Sequence, residues 1–133
     1  MRIGISYTEQ GGDSTVHSVL FENFLSEDLP RSYSGSASFS TSAGGSAVID
    51  GPAFRQRYIW GISALVTPAE ALALDSLFRD WDADRASGMA VAVGVTDELF
   101  GSVVNASAVF STPPAFTRLS PSAWSVDFGL SEV

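Results

Sequence analysis

The single histidine, His17, is the starting point for any acid–base or nucleophilic chemistry in this chain. A Ser-His-Asp arrangement needs the imidazole beside a serine and a carboxylate, and Asp13, Ser14 and Ser18 are the nearest such residues. These residue types are common, His17 falls in a predicted strand, and the chain contains no Gly-x-Ser-x-Gly nucleophile elbow. We therefore predict a structural or solvent-facing histidine and no enzymatic activity.

Three aspartates, at positions 80, 82 and 84, share the spacing with which a calcium-binding EF-hand loop begins. That loop requires glycine at its sixth position and glutamate at its twelfth, where this chain has Arg85 and Val91. The aspartates fall in a predicted helix, where alternate residues point about 200° apart and do not converge. We expect a solvated helix face here, without a metal site or a glycosidase carboxylate pair.

Other motifs that bind cofactors are missing from the sequence. No Gly-x-Gly pair occurs, which excludes the dinucleotide fingerprint and the kinase glycine loop, and the absence of lysine excludes a P-loop. The absence of cysteine excludes disulfides, a thiolate nucleophile and a cysteine-built zinc site. We predict that the protein uses no cofactor and no metal.

The charge of the chain excludes two classes of partner. Fifteen acidic residues against seven basic ones give a net charge of −8, and all seven basic residues are arginine. Binding to a nucleic-acid backbone needs a clustered positive surface, and an acidic chain is repelled by anionic membranes. No apolar stretch approaches the ~20 residues of a membrane helix, and the first residues lack the apolar region of a signal peptide. The length of 133 residues predicts a single domain, 1–133.

The N-terminal half contains patterns typical of strands. Alternating Ile3, Ile5 and Tyr7 predict the first strand, and a second is expected over 15–20. From 32 to 42 every even position is serine, whereas the odd positions include Tyr33 and Phe39, which predicts a ribbon with one hydroxyl face. A turn at 44–45 and a returning strand to residue 50 would make 32–46 a protruding Ser-rich ribbon, with a flexible linker as the alternative. Such a ribbon needs a neighbour, because its apolar surface is small.

The C-terminal half contains the best-specified element, a helix over 67–87. Thr67 is a good N-cap, Pro68 suits the first helical position, Glu70 completes a capping box and Gly88 is a suitable stop. A long strand over 54–65 precedes the helix and places Arg55 and Arg57 on one face, as a surface pair or as partners of acidic groups on a neighbouring subunit.

Three further strands are expected after the helix. The first covers 91–95 and is followed by a turn at Asp97-Glu98; the second covers 103–111 and ends at Pro113-Pro114; the third is centred on 124–130. These patterns predict a mainly β (α+β) fold, an antiparallel β-sandwich or barrel of about seven strands with one flanking α-helix. Its expected core residues are Trp60, Leu74, Phe78, Trp81, Trp124 and Phe128.

The chain from residue 54 onward resembles the minor structural proteins of tailed-bacteriophage tails, a group that includes tube, distal-tail and baseplate-ring proteins. The residues that carry the resemblance are aromatic strands around a capped helix: Phe54–Trp60, Leu65–Glu70, Leu77–Trp81, Arg85, Gly88 and Trp124–Val133. This covers about three-fifths of the chain, and the N-terminal part departs from the pattern. The resemblance implies a tail-tube-like β-sandwich with a flanking helix.

The same resemblance implies a function. It implies a non-enzymatic structural subunit in the virion tail, made in the host cytoplasm. The subunit would form a ring, usually hexameric, that stacks on tube, hub or baseplate proteins. DNA would pass through its central channel without specific binding, and an acidic lining would repel the phosphates. The interface candidates are Arg55, Arg57, Tyr33 and Phe39, with the other arginines as further candidates for subunit seams. The alternative is a monomeric β-sandwich module that binds a carbohydrate or a protein.

Overall fold

The computed structural model describes residues 1–26, 30–34, 38–50 and 57–133 of the chain. Within these ranges the chain forms nine β-strands and one α-helix. In chain order they are β1 Ile3–Thr8, β2 Val16–Phe21, β3 Arg31–Ser34, β4 Ser38–Thr41, β5 Ala47–Asp50, β6 Arg57–Val66, α1 Pro68–Ala86, β7 Val93–Asp97, β8 Val104–Ser120 and β9 Ala123–Glu132. Among the described residues, no helix combines the length and hydropathy needed to cross a bilayer.

Seven strands form one antiparallel sheet in the order β2-β1-β7-β8-β9-β6-β3. The sheet curls until the chain that follows β2 meets β6, where Phe24 forms an antiparallel bridge with Ala64. The Leu25 amide donates to the Ser63 carbonyl at 2.9 Å and the Leu65 amide donates to the Asn23 carbonyl at 2.7 Å. These contacts close most of the sheet on itself, which confirms the predicted mainly β, barrel-like fold with one flanking helix.

The core fills the space between the curled sheet and α1, because alternate strand residues point inward. Four of the six predicted core residues, Trp60, Leu74, Trp81 and Phe128, are buried. The other two, Phe78 and Trp124, are half-buried and pack against the core. An aromatic cluster joins the helix to the sheet, since the Trp81 and Phe110 ring centroids are 5.1 Å apart.

Helix α1 begins and ends where the sequence predicts. Thr67 accepts from the Glu70 amide, and the Glu70 carboxylate accepts from the Thr67 amide, which completes the capping box. At the other end, Gly88 has φ of 95°, a left-handed conformation that favours glycine and stops the helix. The inward residues Leu74, Leu77 and Trp81 pack the helix on the sheet.

Strand β8 corrects one prediction, because Pro113-Pro114 does not end it. The strand continues to Ser120, and register shifts on either side of Thr112 accommodate the prolines in its pairing with β9. Proline lacks the amide that a central strand must donate, so it is tolerated on an edge. Strand β7 pairs with β8 only as far as Ala108, which leaves the later part of β8 with β9 as its one neighbour among the described strands.

The Ser-rich segment forms two strands and not one. Strand β3 joins the main sheet beside β6, whereas β4 pairs only with β5 among the described strands. We call the β4–β5 hairpin, residues 38–50, the arm. Residues 40–47 of the arm are all exposed, and Gly45 turns the chain with φ of 85°. The start of the predicted strand over 54–65 lies outside the described residues, and β6 is described from Arg57 onward.

Candidate interaction surface

Two of the four predicted interface residues, Tyr33 and Arg57, lie near the free edge of the main sheet. Strand β3 pairs with β6 so that Tyr33 lies opposite Tyr58 and Ser34 lies opposite Arg57. Tyr33 exposes 54% of its surface while its ring packs 5.5 Å from that of Tyr58. Arg57 is exposed and forms no salt bridge with any described residue. Tyr33 shares a face of the sheet with Tyr58, and successive strand residues point to opposite faces, so Tyr33 and Arg57 expose an aromatic ring and a cation on opposite faces of this edge.

Of the other two predicted residues, Phe39 and Arg55, the structure describes the backbone position of Phe39. Phe39 lies in the arm, where the register places it opposite Ile49. Ile49 exposes 59% of its surface, although isoleucine is among the residues most often buried. Arg55 lies outside the described residues, so the predicted surface pair of Arg55 and Arg57 stays a prediction. The sequence prediction did not name Ile49, although its exposed apolar side chain makes it a candidate interface residue of the arm.

A buried ion pair holds β3 to the barrel. Arg31 Nη1 lies 2.9 Å from Asp97 Oδ2, and the two side chains expose only 7% and 1% of their surface. Asp97 also accepts hydrogen bonds from Trp60 Nε1 at 3.0 Å and from the Leu99 amide at 2.9 Å. A buried carboxylate needs such partners, because leaving it unpaired costs roughly several kcal/mol. The network fixes the strand from which the arm departs.

The Arg31 guanidinium also packs between two aromatic rings. Its carbon lies 4.7 Å from the centroid of Tyr58 and 4.9 Å from that of Phe100. Phe100 remains 68% exposed on its other side. These contacts are cation–π interactions, which strengthen when the cation is removed from water. Arg31 therefore has its carboxylate and aromatic partners within its own chain.

Other arginines also pair within the chain. Arg2 binds Glu98, Arg79 binds Asp75 and Arg85 binds Asp82, all near the surface. Of the six arginines that the structure describes, Arg57 and Arg118 are exposed without a salt bridge to described residues. The hypothesis that arginines bind a neighbouring subunit thus narrows to these two and to Arg55.

A second polar cluster connects β1 and β2 to α1. His17 Nε2 lies 2.5 Å from Asp80 Oδ2, which agrees with a structural role for the histidine. The Tyr7 hydroxyl donates to Asp84 Oδ2 at 2.5 Å, and the Gln10 amide donates to the same oxygen at 2.8 Å. The Tyr7 hydrogen bond, with help from backbone amides, lowers the pKa of Asp84. Burial, followed by the bond to Asp84, raises the pKa of Tyr7.

This cluster corrects the prediction of a solvated helix face for the three aspartates. Asp84 is buried, whereas Asp82 stays near the surface and binds Arg85. The physical reason is helical spacing: Asp80 and Asp84 are four residues apart and face the strands together, while Asp82 lies elsewhere on the helix. Nowhere in the described ranges do three or more potential acidic, histidine or cysteine ligands converge on a metal position.

An open apolar groove of about 360 Å³ lies between the first half of α1 and the ends of β8 and β9. Its lining residues come from all three elements: Pro68, Ala71, Leu72, Asp75, Phe116 and Trp124. Leu72 is 67% exposed at its rim, whereas Phe116 and Trp124 are half-buried. The sequence pattern assigned Trp124 to the core, and it missed the groove because that depends on β8 continuing past the prolines.

Comparison of the sequence with protein-family models and with curated proteins finds no match to either. The resemblance to phage tail proteins therefore stays a hypothesis, supported by the residues quoted for it.

Proposed function

We propose that this protein is a non-enzymatic structural subunit of a bacteriophage tail, which forms a homo-oligomeric ring at the tube or baseplate end around a DNA channel. The observation that supports this most strongly is the arm. An isolated two-stranded hairpin is at best marginally stable in water, and the arm pairs with no other strand among the described residues. Strand addition to a neighbouring subunit would supply the missing partner.

The surroundings of the arm favour the same use. Tyr33 and Arg57 are exposed near the sheet edge, on opposite faces of the sheet, and both residue types are enriched at protein–protein interfaces. The buried pair of Arg31 with Asp97 fixes β3 to the barrel. A fixed edge lowers the conformational entropy that the chain loses on assembly, so more of the contact energy contributes to binding.

The net charge of −8 supports a channel through which DNA passes freely. Carboxylates facing a lumen repel phosphates, and this repulsion prevents the subunit from holding the DNA. The proposal includes the ring order and the neighbouring proteins above and below the ring. The resemblance implies that these neighbours are tube, hub or baseplate proteins.

The experiment that tests the function is a mass measurement by light scattering combined with negative-stain imaging. We expect rings of the purified protein, alone or with the neighbouring tail proteins added. A variant in which a short Gly-Ser linker replaces residues 39–49 should remain folded and lose the rings. A strict monomer at high concentration, with no ring after the tail proteins are added, would overturn the proposal.

A second candidate function is a monomeric module that binds a carbohydrate or a protein. The groove favours it, because Phe116 and Trp124 offer half-buried aromatic faces beside the exposed Leu72. This function requires a monomer in solution, so the mass measurement separates it from the ring. A ligand of this module should also quench the fluorescence of Trp124, which a Trp124→Phe variant would identify.

A further inference from the structure

We propose that the arm of one copy of this chain adds to the free edge of β8 in a second copy and seats Ile49 in the groove. This inference rests on the proposed function, because it identifies the surface that receives the arm within an oligomer. It specifies β5, residues 47–50, as the strand that is added. Three observations support it: the free edge, the groove beside that edge and the distribution of charge.

The free edge is the side of β8 that faces away from β9. Strand β7 pairs with β8 no further than Ala108, whereas β9 accompanies β8 to Ser120. Beyond Ala108 the outer edge has no neighbouring strand among the described residues, and such an edge is a template for strand addition. Pro113-Pro114 cannot donate amide hydrogens, so the receptive section is 115–120. This section is long enough for the four-residue β5.

The groove lies directly beside the receptive section. Phe116 on β8 lines it, with Leu72 on the helix opposite. A strand added to β8 would continue the sheet, and alternate side chains of that strand would point toward the helix side. Ile49 is the large apolar residue of β5 that lies exposed in the single chain. Covering Ile49 and Leu72 together removes two exposed aliphatic side chains from water, which is favourable.

The charge distribution permits contact between these two segments in particular. Two copies that each carry a net charge of −8 repel one another. The chain from Arg31 to Ile49 contains no acidic residue, and neither does the chain from Leu99 to Val126. The first stretch contains β5 up to Ile49, and the second contains the whole of β8. The one carboxylate that lines the groove, Asp75, is already paired with Arg79 at 3.1 Å.

The test uses the absence of cysteine in the natural chain. Ile49→Cys and Leu72→Cys proteins are prepared separately, mixed under conditions where the unmodified protein is oligomeric, and treated with a short bis-maleimide. We expect a covalent species at twice the 14.0 kDa mass of one chain, in at least tenfold excess over either variant treated alone. The matched control is Val16→Cys, an exposed apolar site on β2 outside the groove, which should give no such excess when mixed with Ile49→Cys.

Circular dichroism of each cysteine variant first establishes that it is folded. If the protein is oligomeric and the Ile49→Cys and Leu72→Cys mixture gives no more dimer than the Val16→Cys mixture, the inference is wrong and the proposed ring stands. If a single chain carrying both Ile49→Cys and Leu72→Cys is cross-linked within itself at monomer mass, the arm docks in its own chain and the inference is wrong. If the unmodified protein is a monomer with its tail partners present, the proposed function fails, and the inference with it.

Discussion

Arg31 and Asp97, which are 66 positions apart in the sequence, form a buried ion pair that joins the edge strand β3 to the end of β7. Trp60 Nε1 and the Leu99 amide also donate to the carboxylate, and the ring centroids of Tyr58 and Phe100 lie 4.7 and 4.9 Å from the guanidinium carbon. The described part of the chain contains no buried side-chain polar atom without a hydrogen-bond partner. The pair therefore lies inside a satisfied network, which is the condition under which a buried charge is tolerated.

Replacing Arg31 by methionine should destabilise the protein strongly. The change leaves Asp97 charged and buried without its cation, and breaking such a pair costs about 3–5 kcal/mol. Urea unfolding followed by tryptophan fluorescence measures the free energy of unfolding. The matched control is Arg79→Met, which removes an exposed helix pair and should cost less than about 1 kcal/mol. Equal losses of unfolding free energy in the two variants would show that the buried Arg31 pair stabilises the protein no more than an exposed pair does.

Gly129 and Gly61 face each other in the β6–β9 ladder, yet alanine should have opposite effects at the two positions. A methyl group on Gly129 would lie 2.9 Å from Ser111 Oγ and 3.3 Å from Thr112 Cβ, whereas one on Gly61 meets nothing within 4 Å. Ser111 Oγ can rotate away, but Thr112 Cβ can move only with its backbone, so we expect Gly129→Ala to lower the melting temperature. Gly61→Ala should leave it unchanged or raise it, since alanine has less conformational entropy to lose.

Differential scanning calorimetry of both glycine variants measures this difference directly. Equal melting temperatures would mean that β8 shifts away from β9 without cost at its register irregularity. In that case the close approach of Thr112 to Gly129 would not fix the course of β8 past the prolines.

Local signals in the sequence are enough to predict the helix and the inner strands. Thr67, Pro68 and Glu70 act within one turn, so the start of α1 follows from three neighbouring residues. The alternation of Val93 and Val95 similarly gives the inward face of β7, and Asp97 continues that phase. The sequence prediction placed a turn at Asp97 and neglected this alternation of inward residues. The alternation was the available sign that Asp97 is a buried carboxylate, which needs a cation.

The remainder depends on contacts between distant parts of the chain. No local pattern shows that Tyr7 binds Asp84, since the two are 77 positions apart. The course of β8 past Pro113 likewise depends on where β7 stops pairing, which is a property of the sheet and not of the dipeptide. The groove and the free edge follow from that course. The candidate surface was therefore predicted only in the Ser-rich ribbon and at Arg57.

Protonation of Asp84 should make the protein less stable in acid. Its pKa is lowered by folding, so its contribution is fully present above the ordinary Asp pKa of about 3.9 and is lost as the pH falls through the lower folded pKa. The difference in unfolding free energy between the natural chain and Asp84→Asn should be largest near neutral pH and should shrink below about pH 4. Urea titrations at a series of pH values measure it.

The control for the acid prediction is Asp82→Asn, because Asp82 is a surface residue of the same helix. At neutral pH we expect Asp82→Asn to cost less stability than Asp84→Asn, because a surface ion pair contributes less than about 1 kcal/mol. If the Asp84→Asn difference is constant down to acid pH, the hydrogen bonds from Tyr7 and Gln10 do not favour the ionised carboxylate, and the prediction is wrong.

Tyr7 should act at the opposite end of the pH scale. Folding raises its pKa, so its contribution is fully present below the ordinary Tyr pKa of about 10 and is lost as the pH rises beyond that value. We expect Tyr7→Phe to be less stable than the natural chain at neutral pH, because Asp84 loses a hydrogen bond, by about 1–3 kcal/mol. The difference in unfolding free energy between the two proteins should narrow above about pH 10, which urea titrations at alkaline pH measure. A difference that stays constant there would contradict the prediction.

Ile49→Asp should weaken self-association while leaving the fold intact. The side chain is exposed in the single chain, so its replacement removes little from the core, but it places a carboxylate where the arm would meet a neighbour that already carries a net charge of −8. We expect the association constant to fall at least tenfold, which corresponds to about 1.4 kcal/mol. Sedimentation velocity measures the association. Val16→Asp, at an exposed aliphatic site on β2, adds the same charge and should retain most of the assembly. Because the two variants share their net charge, equal losses would show that charge repulsion alone controls association and that the arm has no specific role.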